Sequence, residues 1–253
     1  MTATLDTNLA VDAATLRSLH DPGDPLVLVN VWDVGSAHRV ADAGAKALAT
    51  SSLAIATAIG IPDSPDAPLD EMFGAIGRIT AATDLPVSAD LLDGYGLPAD
   101  ELVERLLGAG AVGFNIEDSD HRQPGTLVPA SVAAARVADL RRAADRAGIA
   151  VVINARTDVY LYDGGDGTPE VISRARAYLD AGADCVYPVR LDHAALARQV
   201  VEELDGAPVN ANADVTTIDD IRSSGASRIS IGPQAFFRAY STLDTIAAAL
   251  LRP

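Results

Sequence analysis

The sequence predicts an α/β fold in which eight strands and eight helices close into a (β/α)8 TIM barrel. Short apolar runs alternate with helix-forming segments eight times along the 253 residues, and no linker or change of composition interrupts them. Hydrophobic residues make up 49% of the chain and aromatic residues only 4%, which suits a parallel sheet covered by helices. Regular alternation implies parallel crossovers, and eight strands favour a closed barrel over an open sheet. We therefore expect residues 1–253 to form one barrel domain with a short N-terminal helix.

The first half of the chain contains four of the predicted strands. Residues 1–8 are polar and are expected to be frayed, and a short helix is predicted from Ala13 to His20. The helix that begins at Pro98 has proline and acidic residues in its first turn, as helix starts prefer. The predicted strands are residues 26–31, 46–50, 86–90 and 111–116, and the other helices are residues 35–43 and 69–81.

The second half continues the same alternation. A helix over residues 131–147 is predicted to end at Gly148, a usual C-terminal stop. Ala-Gly-Ala triplets at residues 43–45, 109–111 and 181–183 are typical of turns from helix to strand. The predicted strands are residues 150–155, 184–188, 208–211 and 228–231, the glycine-rich loop is residues 164–167, and the helices are residues 169–181, 193–204, 217–223 and 234–251.

Composition and the motifs that the chain lacks narrow the class of protein. The net charge of −16 argues against nucleic acid or an anionic membrane as a partner. The single cysteine, Cys185, excludes an internal disulfide and fits a cytoplasmic location, and neither a membrane-spanning apolar run nor a signal peptide is recognised. A glycine-rich phosphate loop after the first strand, a clustered His/Cys set and a Gly-x-Ser-x-Gly elbow are all missing, which argues against nicotinamide cofactors, zinc and serine hydrolysis.

Charged side chains follow three successive predicted strands at the point where each strand ends. Asp90 and Asp93 follow the third strand, Glu117 and Asp118 the fourth, and Arg156 and Asp158 the fifth. The carboxyl ends of parallel strands share one rim, which is where α/β proteins place their chemistry. Asp90 and Glu117 offer the hard oxygen ligands that Mg²⁺ prefers. The alternative is that they are solvated loop acids among the 35 acidic residues of the chain.

Arg156 is predicted to point toward the same rim. A guanidinium there could hold a carboxylate or phosphonate through two hydrogen bonds and offset the acidic field. An ion pair with Asp158 or Glu117 is the alternative, and the two roles are compatible.

Weaker candidates come from the first two strands. Ser51, Ser52 and Leu53 form a turn whose hydroxyl and backbone donors could bind an oxyanion, although such serines are commonly helix caps. Trp32 and Asp33 could give a flat apolar wall beside a carboxylate, or the tryptophan could simply cover the barrel core.

Two further candidates lie later in the chain. His121 could donate a proton, although a lone loop histidine is more often solvent-exposed. It lies in a polar run, residues 118–128, that we interpret as a mobile lid with few buried contacts. Asn210 at the end of the seventh strand, with Asn212 beyond it, could bind substrate oxygens.

Five motifs together resemble the isocitrate lyase/phosphoenolpyruvate mutase superfamily, and they keep its order and spacing from about residue 26 to 232. The resemblance implies a Mg²⁺-dependent barrel, with Mn²⁺ as the alternative metal, that acts on 2-oxo or 2-hydroxy carboxylates through a pyruvate-like enolate. It also implies a homo-oligomer, a dimer or a tetramer. The motifs are Asn30-Val-Trp-Asp33, Ala47-Leu-Ala-Thr-Ser-Ser52, Pro86-Val-Ser-Ala-Asp90, Asn115-Ile-Glu-Asp-Ser119 and Asn154-Ala-Arg-Thr-Asp158.

The resemblance also implies roles for single residues. Asp90 matches a direct metal ligand, and Glu117 matches a carboxylate that binds the metal through water. Arg156 matches the arginine that holds the substrate carboxylate, and Asp63 an aspartate near the reacting group. The turn at residues 51–53 matches the segment that grips the pyruvyl carboxylate and oxygen.

Departures from the family pattern limit which activity the resemblance can imply for this chain. Leu92 stands where a second metal-shell carboxylate is usual, with Asp93 one place later. Residues 118–125 replace the cysteine-containing loop of the lyases, and Ser119 replaces the lysine of the mutases. We expect a Mg²⁺-dependent lyase that cleaves a C–C bond of a small 2-hydroxy or 2-oxo acid. The alternatives are a phosphonopyruvate-type C–P mutase or hydrolase, an oxaloacetate decarboxylase, or a carboxylate-binding barrel without activity.

Overall fold

A computed structural model describes residues 2–162 and 167–251, and for residues 2–7 the backbone alone. Its strands run in the order expected from the sequence. They are β1 (His20–Asp21), β2 (Asp24–Leu28), β3 (Asn30–Val31), β4 (Leu48–Thr50), β5 (Val87–Asp90), β6 (Gly113–Glu117), β7 (Val152–Thr157), β8 (Cys185–Pro188), β9 (Asn210–Asn212) and β10 (Arg228–Ser230).

Helices separate these strands and cover the sheet. Within the described residues none of them is long and apolar enough to cross a membrane. They are α1 (Thr2–Ser18), α2 (Val34–Asp42), α3 (Ser52–Ile59), α4 (Leu69–Thr80), α5 (Ala99–Gly108), α6 (Ala130–Ala147), α7 (Val159–Tyr162), α8 (Thr168–Asp180), α9 (Ala194–Glu203), α10 (Ile218–Arg222) and α11 (Gln234–Leu251).

The sheet closes into the predicted barrel. Strands β3 to β8 pair in parallel in chain order, and β10 pairs in parallel with both β2 and β9. β2 and β3 are two halves of one strand that breaks at Val29, so they join the two groups. The remaining seam is closed by a parallel bridge between Val186 and Val209 and by the hydrogen bond from Val186 N to Pro208 O at 3.0 Å. The (β/α)8 prediction is confirmed.

Strand alternation separates the apolar layer from a polar interior. In β6, Asn115 and Glu117 line the central cavity, whereas Phe114 is fully buried in the hydrophobic core and Ile116 lines a different cavity. Successive side chains of a strand point to opposite faces, so every second residue of this strand is available to a site inside the barrel.

The structure differs from the sequence prediction in several places. Strand β1 pairs antiparallel with β2 at His20, where the end of a helix was predicted. Helix α1 begins at Thr2 instead of Ala13, so the stretch expected to be frayed is helical from residue 2. Helix α3 was not predicted because its eight residues are apolar all round and show no helical period. Helix α7 has four residues, too few for a period to be read. Of the predicted glycine-rich loop, residues 164–166 lie outside the described part of the chain.

Candidate active site

A cavity of about 660 Å³ opens at the carboxyl ends of the barrel strands. It brings together eight of the residues that the sequence singled out. They are Ser51, Ser52, Leu53, Asp63, Asp90, Glu117, His121 and Arg156.

Asp90 ends β5 and is held in place from two sides. Its Oδ2 accepts hydrogen bonds from the backbone N and the Oγ of Ser52, both at 3.1 Å. Its Oδ1 accepts a longer bond of 3.4 Å from Asn115 Nδ2. Ser52 is the first residue of α3, where backbone N–H groups have no partner inside the helix, so the helix start supplies a free donor to the carboxylate.

Asp63 lies at the mouth of the cavity and shares a hydroxyl with Asp90. Ser52 Oγ is 3.5 Å from Asp63 Oδ2 and 3.1 Å from Asp90 Oδ2. The residue is exposed, but burial of its carboxyl group and the nearby charge of Asp90 raise the pKa of Asp63 to about 6. Two acids around one hydroxyl create negative charge that a bound cation would relieve.

Glu117 and Arg156 line the cavity from β6 and β7, the next two strands after β5. Glu117 Oε2 is 2.8 Å from Arg156 Nη1, and Glu117 Oε1 is 2.8 Å from His121 Nε2. Arg156 also donates to Asp158 through Nε at 2.5 Å and through Nη2 at 3.0 Å. The ion-pair alternative for Arg156 is therefore present in the structure, and it fixes the plane of the guanidinium beside the cavity.

Burial and neighbouring charges shift the pKa values of Glu117 and Arg156 in opposite directions. Burial raises the pKa of Glu117 even though Arg156 and His121 favour its ionised form. For Arg156, burial lowers the pKa, but the charges of Glu117 and Asp158 outweigh it and raise that pKa above its ordinary value. The hydrogen bond to Glu117 raises the pKa of His121.

Residues 118–128 fold into a short hairpin with a firm base. Ser119 and Leu127 form an antiparallel bridge, and Val128 N donates to Asp118 O at 2.9 Å. The Asp118 carboxylate is buried and accepts from Tyr178 Oη at 2.6 Å and from Asp158 N at 2.9 Å. The expectation of few buried contacts is thus wrong at the base of the segment, and only the tip, residues 122–126, is exposed without interruption.

Three sequence candidates lie away from the cavity. The Asp33 carboxylate caps α2, accepting from Ser36 N at 2.6 Å, and the residue is exposed. The ring of Trp32 packs edge-on against Phe236 at 5.2 Å, the core alternative that the sequence left open. The side chain of Asn210 is fully buried below the cavity floor and donates to Ser230 Oγ at 3.1 Å.

Two other polar candidates, Asn212 and Ser51, line the cavity. Asn212, two positions after Asn210, lines the cavity and donates to Tyr187 Oη at 2.8 Å. Ser51 is the N-cap of α3, as the cap alternative proposed, and it also lines the cavity.

The loop after β5 does not restore the missing carboxylate. Asp93 accepts from Tyr95 N at 2.9 Å and lines an adjoining cavity of about 380 Å³ under the hairpin, which shares Glu117 and Arg156 with the site. Leu92 and Tyr95 have positive φ angles of 51° and 56°, a conformation that is uncommon for such residues. The backbone of this loop instead supports the site, because Leu92 O accepts from Glu117 N at 2.9 Å.

Sequence reasoning missed a polar layer beneath the cavity. Asn154 donates to Asn115 Oδ1 at 2.7 Å, and Arg228 donates to the same oxygen at 3.2 Å. A charged or amide residue inside an otherwise apolar strand was the available signal. Tyr162 and Tyr187 also line the cavity, and Tyr162 Oη lies 3.0 Å from Ser119 Oγ.

The donor set fits a magnesium ion. Across the described residues, no three His, Cys, Asp or Glu side chains converge into a complete metal cage. Mg²⁺ is usually held by one or two carboxylates, with waters and substrate oxygens filling the other positions. Asp90 and Glu117 on one cavity provide such a pair, and Asp63 is a third carboxylate on the same cavity.

Comparison with known proteins identifies the relatives of this barrel. The phosphoenolpyruvate phosphomutase family model matches residues 16–251. The chain belongs to the phosphoenolpyruvate phosphomutase family. The family resemblance deduced from the five motifs is therefore confirmed.

Members of the family differ in their named activities. The 2-methylisocitrate lyase of Escherichia coli K12 is 30% identical over 249 residues, covering 88% of this chain and 81% of that protein. A candidate phosphonomutase from Burkholderia cenocepacia J2315 is 41% identical with a TM-score of 0.85, covering 95% of this chain and 99% of that one. The 2,3-dimethylmalate lyase structure is 27% identical with a TM-score of 0.84, covering 95% and 87%. These relatives are lyases and mutases, so this phosphomutase-family chain is an enzyme.

Proposed function

We propose that this phosphomutase-family protein is a Mg²⁺-dependent lyase that cleaves a C–C bond of a small 2-hydroxy or 2-oxo carboxylic acid. The observation that carries the proposal is the placement of an oriented carboxylate, Asp90, and a guanidinium, Arg156, on one cavity at the carboxyl rim. Breaking the C3–C4 bond of a 2-oxo acid leaves a pyruvate-like enolate. Breaking the C2–C3 bond of a 2-hydroxy acid instead removes the hydroxyl proton, releases a 2-oxo acid and leaves the electron pair on the departing carbon. In both cases negative charge must be stabilised as it develops.

Two carboxylates would hold the metal. Asp90 would bind it directly, because Ser52 and Asn115 fix its orientation at the cavity. Glu117 would act through water, because its two oxygens already lie beside His121 and Arg156. When bound, Mg²⁺ would supply Lewis-acid stabilisation of the enolate oxygen, and Mn²⁺ could take the same place.

Arg156 would bind the carboxylate of the substrate. Its Nε and Nη2 are committed to Asp158, which sets the plane of the guanidinium. Its Nη1 faces Glu117 at 2.8 Å and the side chain is 19% exposed, so a substrate oxygen could share this edge. The turn at residues 51–53 would bind the pyruvyl end from the other side.

Asp63 and His121 are the proposed proton-transfer groups. Both line the cavity, and the pKa of Asp63 is raised to about 6, close to the range in which a general acid or base works best. The tip of the hairpin would close over the substrate and shield the enolate from water. Protease cutting within residues 118–128, compared with and without Mg²⁺ and oxalate, tests the closure. Equal cutting would leave the hairpin as an ordinary surface loop.

We further propose that the protein is a cytoplasmic homo-oligomer, a dimer or a tetramer. Helix α11 has one buried residue, Phe236, and carries a row of exposed apolar side chains that a second subunit would cover. Those residues are Phe237, Tyr240, Leu243, Ile246, Leu250 and Leu251.

The second candidate function is C–P chemistry on a phosphonopyruvate-type substrate. It is favoured by the 41% identity to the candidate phosphonomutase, which covers nearly all of both chains. Oxaloacetate decarboxylation and carboxylate binding without turnover remain as alternatives from the sequence.

Product detection tests these functions against each other. The purified protein is incubated with 2-methylisocitrate, 2,3-dimethylmalate, oxaloacetate and phosphonopyruvate, each with Mg²⁺ and with excess chelator. The proposal predicts metal-dependent release of a 2-oxo acid from 2-methylisocitrate or 2,3-dimethylmalate. Pyruvate from oxaloacetate alone would favour decarboxylation. Turnover of phosphonopyruvate alone would favour C–P chemistry. Ligand-induced stabilisation without any product would indicate a binding protein.

A further inference from the structure

Arg228 is a charged side chain at the centre of the barrel. It is fully buried, on β10, beneath the cavity floor. In the described residues its hydrogen bonds go to Ser88 Oγ, at 3.4 Å from both Nη1 and Nη2, and to Asn115 Oδ1 at 3.2 Å. Neither partner is a carboxylate. A buried guanidinium without an acidic partner is costly to stability, so its position calls for a function.

The partners of Arg228 belong to a row that ends at Asp90. Asp90 lies opposite Asn115 in the register of β5 and β6, and Asn115 lies opposite Asn154 in the register of β6 and β7. The hydrogen bonds follow the same row, from Asn154 to Asn115 at 2.7 Å and from Asn115 to Asp90 at 3.4 Å. Arg228 reaches this row from the other side of the barrel.

Two donors meet at the amide oxygen of Asn115, and this fixes the direction of the amide. Asn154 Nδ2 and Arg228 Nη2 both point at Asn115 Oδ1. If the amide turned over, its own N–H groups would face these two donors, and the oxygen would face the carboxylate of Asp90. The amide therefore has one satisfied orientation, in which Nδ2 donates to Asp90 Oδ1.

We propose that Arg228 is a positioning residue that holds the Asn115 amide in the orientation that prepares Asp90 to bind a divalent cation. The proposal rests on the proposed function, in which Asp90 is the direct metal ligand. Arg228 itself touches neither metal nor substrate. It acts through Asn115, as outer-shell partners of metal ligands commonly do.

The direction of the change in cation affinity distinguishes a positioning role of Arg228 from a purely electrostatic effect of its charge. Removing a positive charge near a cation site tightens cation binding by itself, because repulsion is lost. Loss of positioning weakens it. Arg228→Met removes both the charge and the fork of donors, so weaker binding of the cation can come only from the second cause.

The test measures Mn²⁺ binding in the absence of substrate, by calorimetry or electron paramagnetic resonance. We expect Asn115→Leu and Arg228→Met each to weaken Mn²⁺ affinity about tenfold. The double variant should be no weaker than Asn115→Leu alone, since both act on the same hydrogen bond. Arg228→Lys keeps the charge but has a single ammonium group, and its affinity should lie between those of wild type and Arg228→Met. Thermal unfolding shows which variants fold. If Asn115→Leu does not fold, the inference is tested with Arg228→Met and Arg228→Lys alone.

Arg141→Met is the matched control. Arg141 is also a largely buried arginine, but it pairs with Asp184 at 2.5 Å, before β8 at the opposite end of the barrel. It should lose stability and keep wild-type Mn²⁺ affinity. Wild-type or tighter binding in Arg228→Met would overturn the inference. If Asp90→Ala abolishes binding in the same series, the proposed metal site survives that result. If the wild-type protein binds no Mn²⁺, the proposed site and the inference are both wrong.

Discussion

Ser52 donates two hydrogen bonds to one oxygen of Asp90, from its backbone N and its Oγ, each 3.1 Å long. The contact joins the first residue of α3 to the last residue of β5, which are 38 positions apart in sequence. Ser51, immediately before it, faces the helix instead and accepts from Ala54 N. The two serines of one turn therefore have different tasks, and each can be removed separately.

Ser52→Ala should impair the site with little cost to the fold. It removes one of the two bonds to Asp90 and keeps the backbone N–H, so we expect a several-fold loss of metal affinity, equivalent to about 1 kcal/mol. Ser51→Ala should instead remove the helix cap and cost about 1 kcal/mol of unfolding free energy. Metal titration and chemical unfolding of both variants check the pair. The assignment is wrong if the two serines exchange these effects.

Asp63 should make stability depend on pH. Its pKa is raised from 3.8 to about 6 in the folded protein, so the folded state holds the proton more tightly than the unfolded state. The resulting stabilisation is complete below about pH 3.8 and is lost as the pH rises through about 6. The Asp63→Asn variant has no ionisable group at this position, so it does not lose this stabilisation. It should be more stable than wild type at pH 7.5, by less than about 1 kcal/mol because the residue is exposed.

Thermal unfolding at pH 4.5 and 7.5 checks this prediction. The advantage of Asp63→Asn should shrink at the lower pH. Asp66→Asn, an exposed aspartate in the same loop, is the matched control and should show no such difference. The same advantage at both pH values would contradict the account of Asp63.

His121 should hold the hairpin most firmly in mildly acidic solution. Its pKa is raised above 6.5, mainly by the hydrogen bond to Glu117. The stabilisation is complete below pH 6.5 and is lost as the pH rises through the higher folded value. Protease cutting within residues 118–128 should therefore increase from pH 6 to pH 9 after correction for protease activity.

The matched variants are His121→Ala and His38→Ala, the latter at an exposed position on α2. His121→Ala should be cut faster at pH 6 and should lose the pH dependence, while His38→Ala should behave as wild type. A pH dependence that survives in His121→Ala would assign it to another group.

The apolar face of α11 should mediate assembly. Leu243 and Ile246 are 59% and 51% exposed and lie one turn apart, so a double change to glutamate would place two charges in the proposed interface. We expect the oligomer to dissociate, as measured by light scattering after gel filtration. Val215→Glu is the control, because Val215 is 72% exposed but lies outside the helix. A wild-type protein that is already monomeric would refute the proposed assembly.

The sequence predicted the barrel well because its signals are local and repeat. Strands β4 to β7 are short, mostly apolar runs that end in a polar residue, and most helices carry a clear start or stop, such as Gly148 after α6. Helix α3 was missed because Ser52–Ile59 has apolar residues, such as Leu53 and Ala58, on its exposed side as well as its buried side, so no apolar stripe is visible. Local pattern fails where the exposed side of a helix is not polar.

Position at the end of a strand predicted one part of the site. Asp90, Glu117 and Arg156 follow that rule and line one cavity. Asp33 satisfies the same rule, but Ser36 lies three residues later and completes a capping box, which a strand-end aspartate can serve equally well. Arg228 was missed because its partners Asn115 and Ser88 are 113 and 140 residues away.

The most direct test of the central claim is a calorimetric titration of Mg²⁺ into wild-type protein, Asp90→Ala and Glu117→Ala, each checked for its fold by circular dichroism. The account predicts that wild type binds one Mg²⁺ per chain, that Asp90→Ala binds none, and that Glu117→Ala binds more weakly than wild type but measurably, because its contact is made through water. Equal Mg²⁺ affinity in wild type and Asp90→Ala would contradict the account.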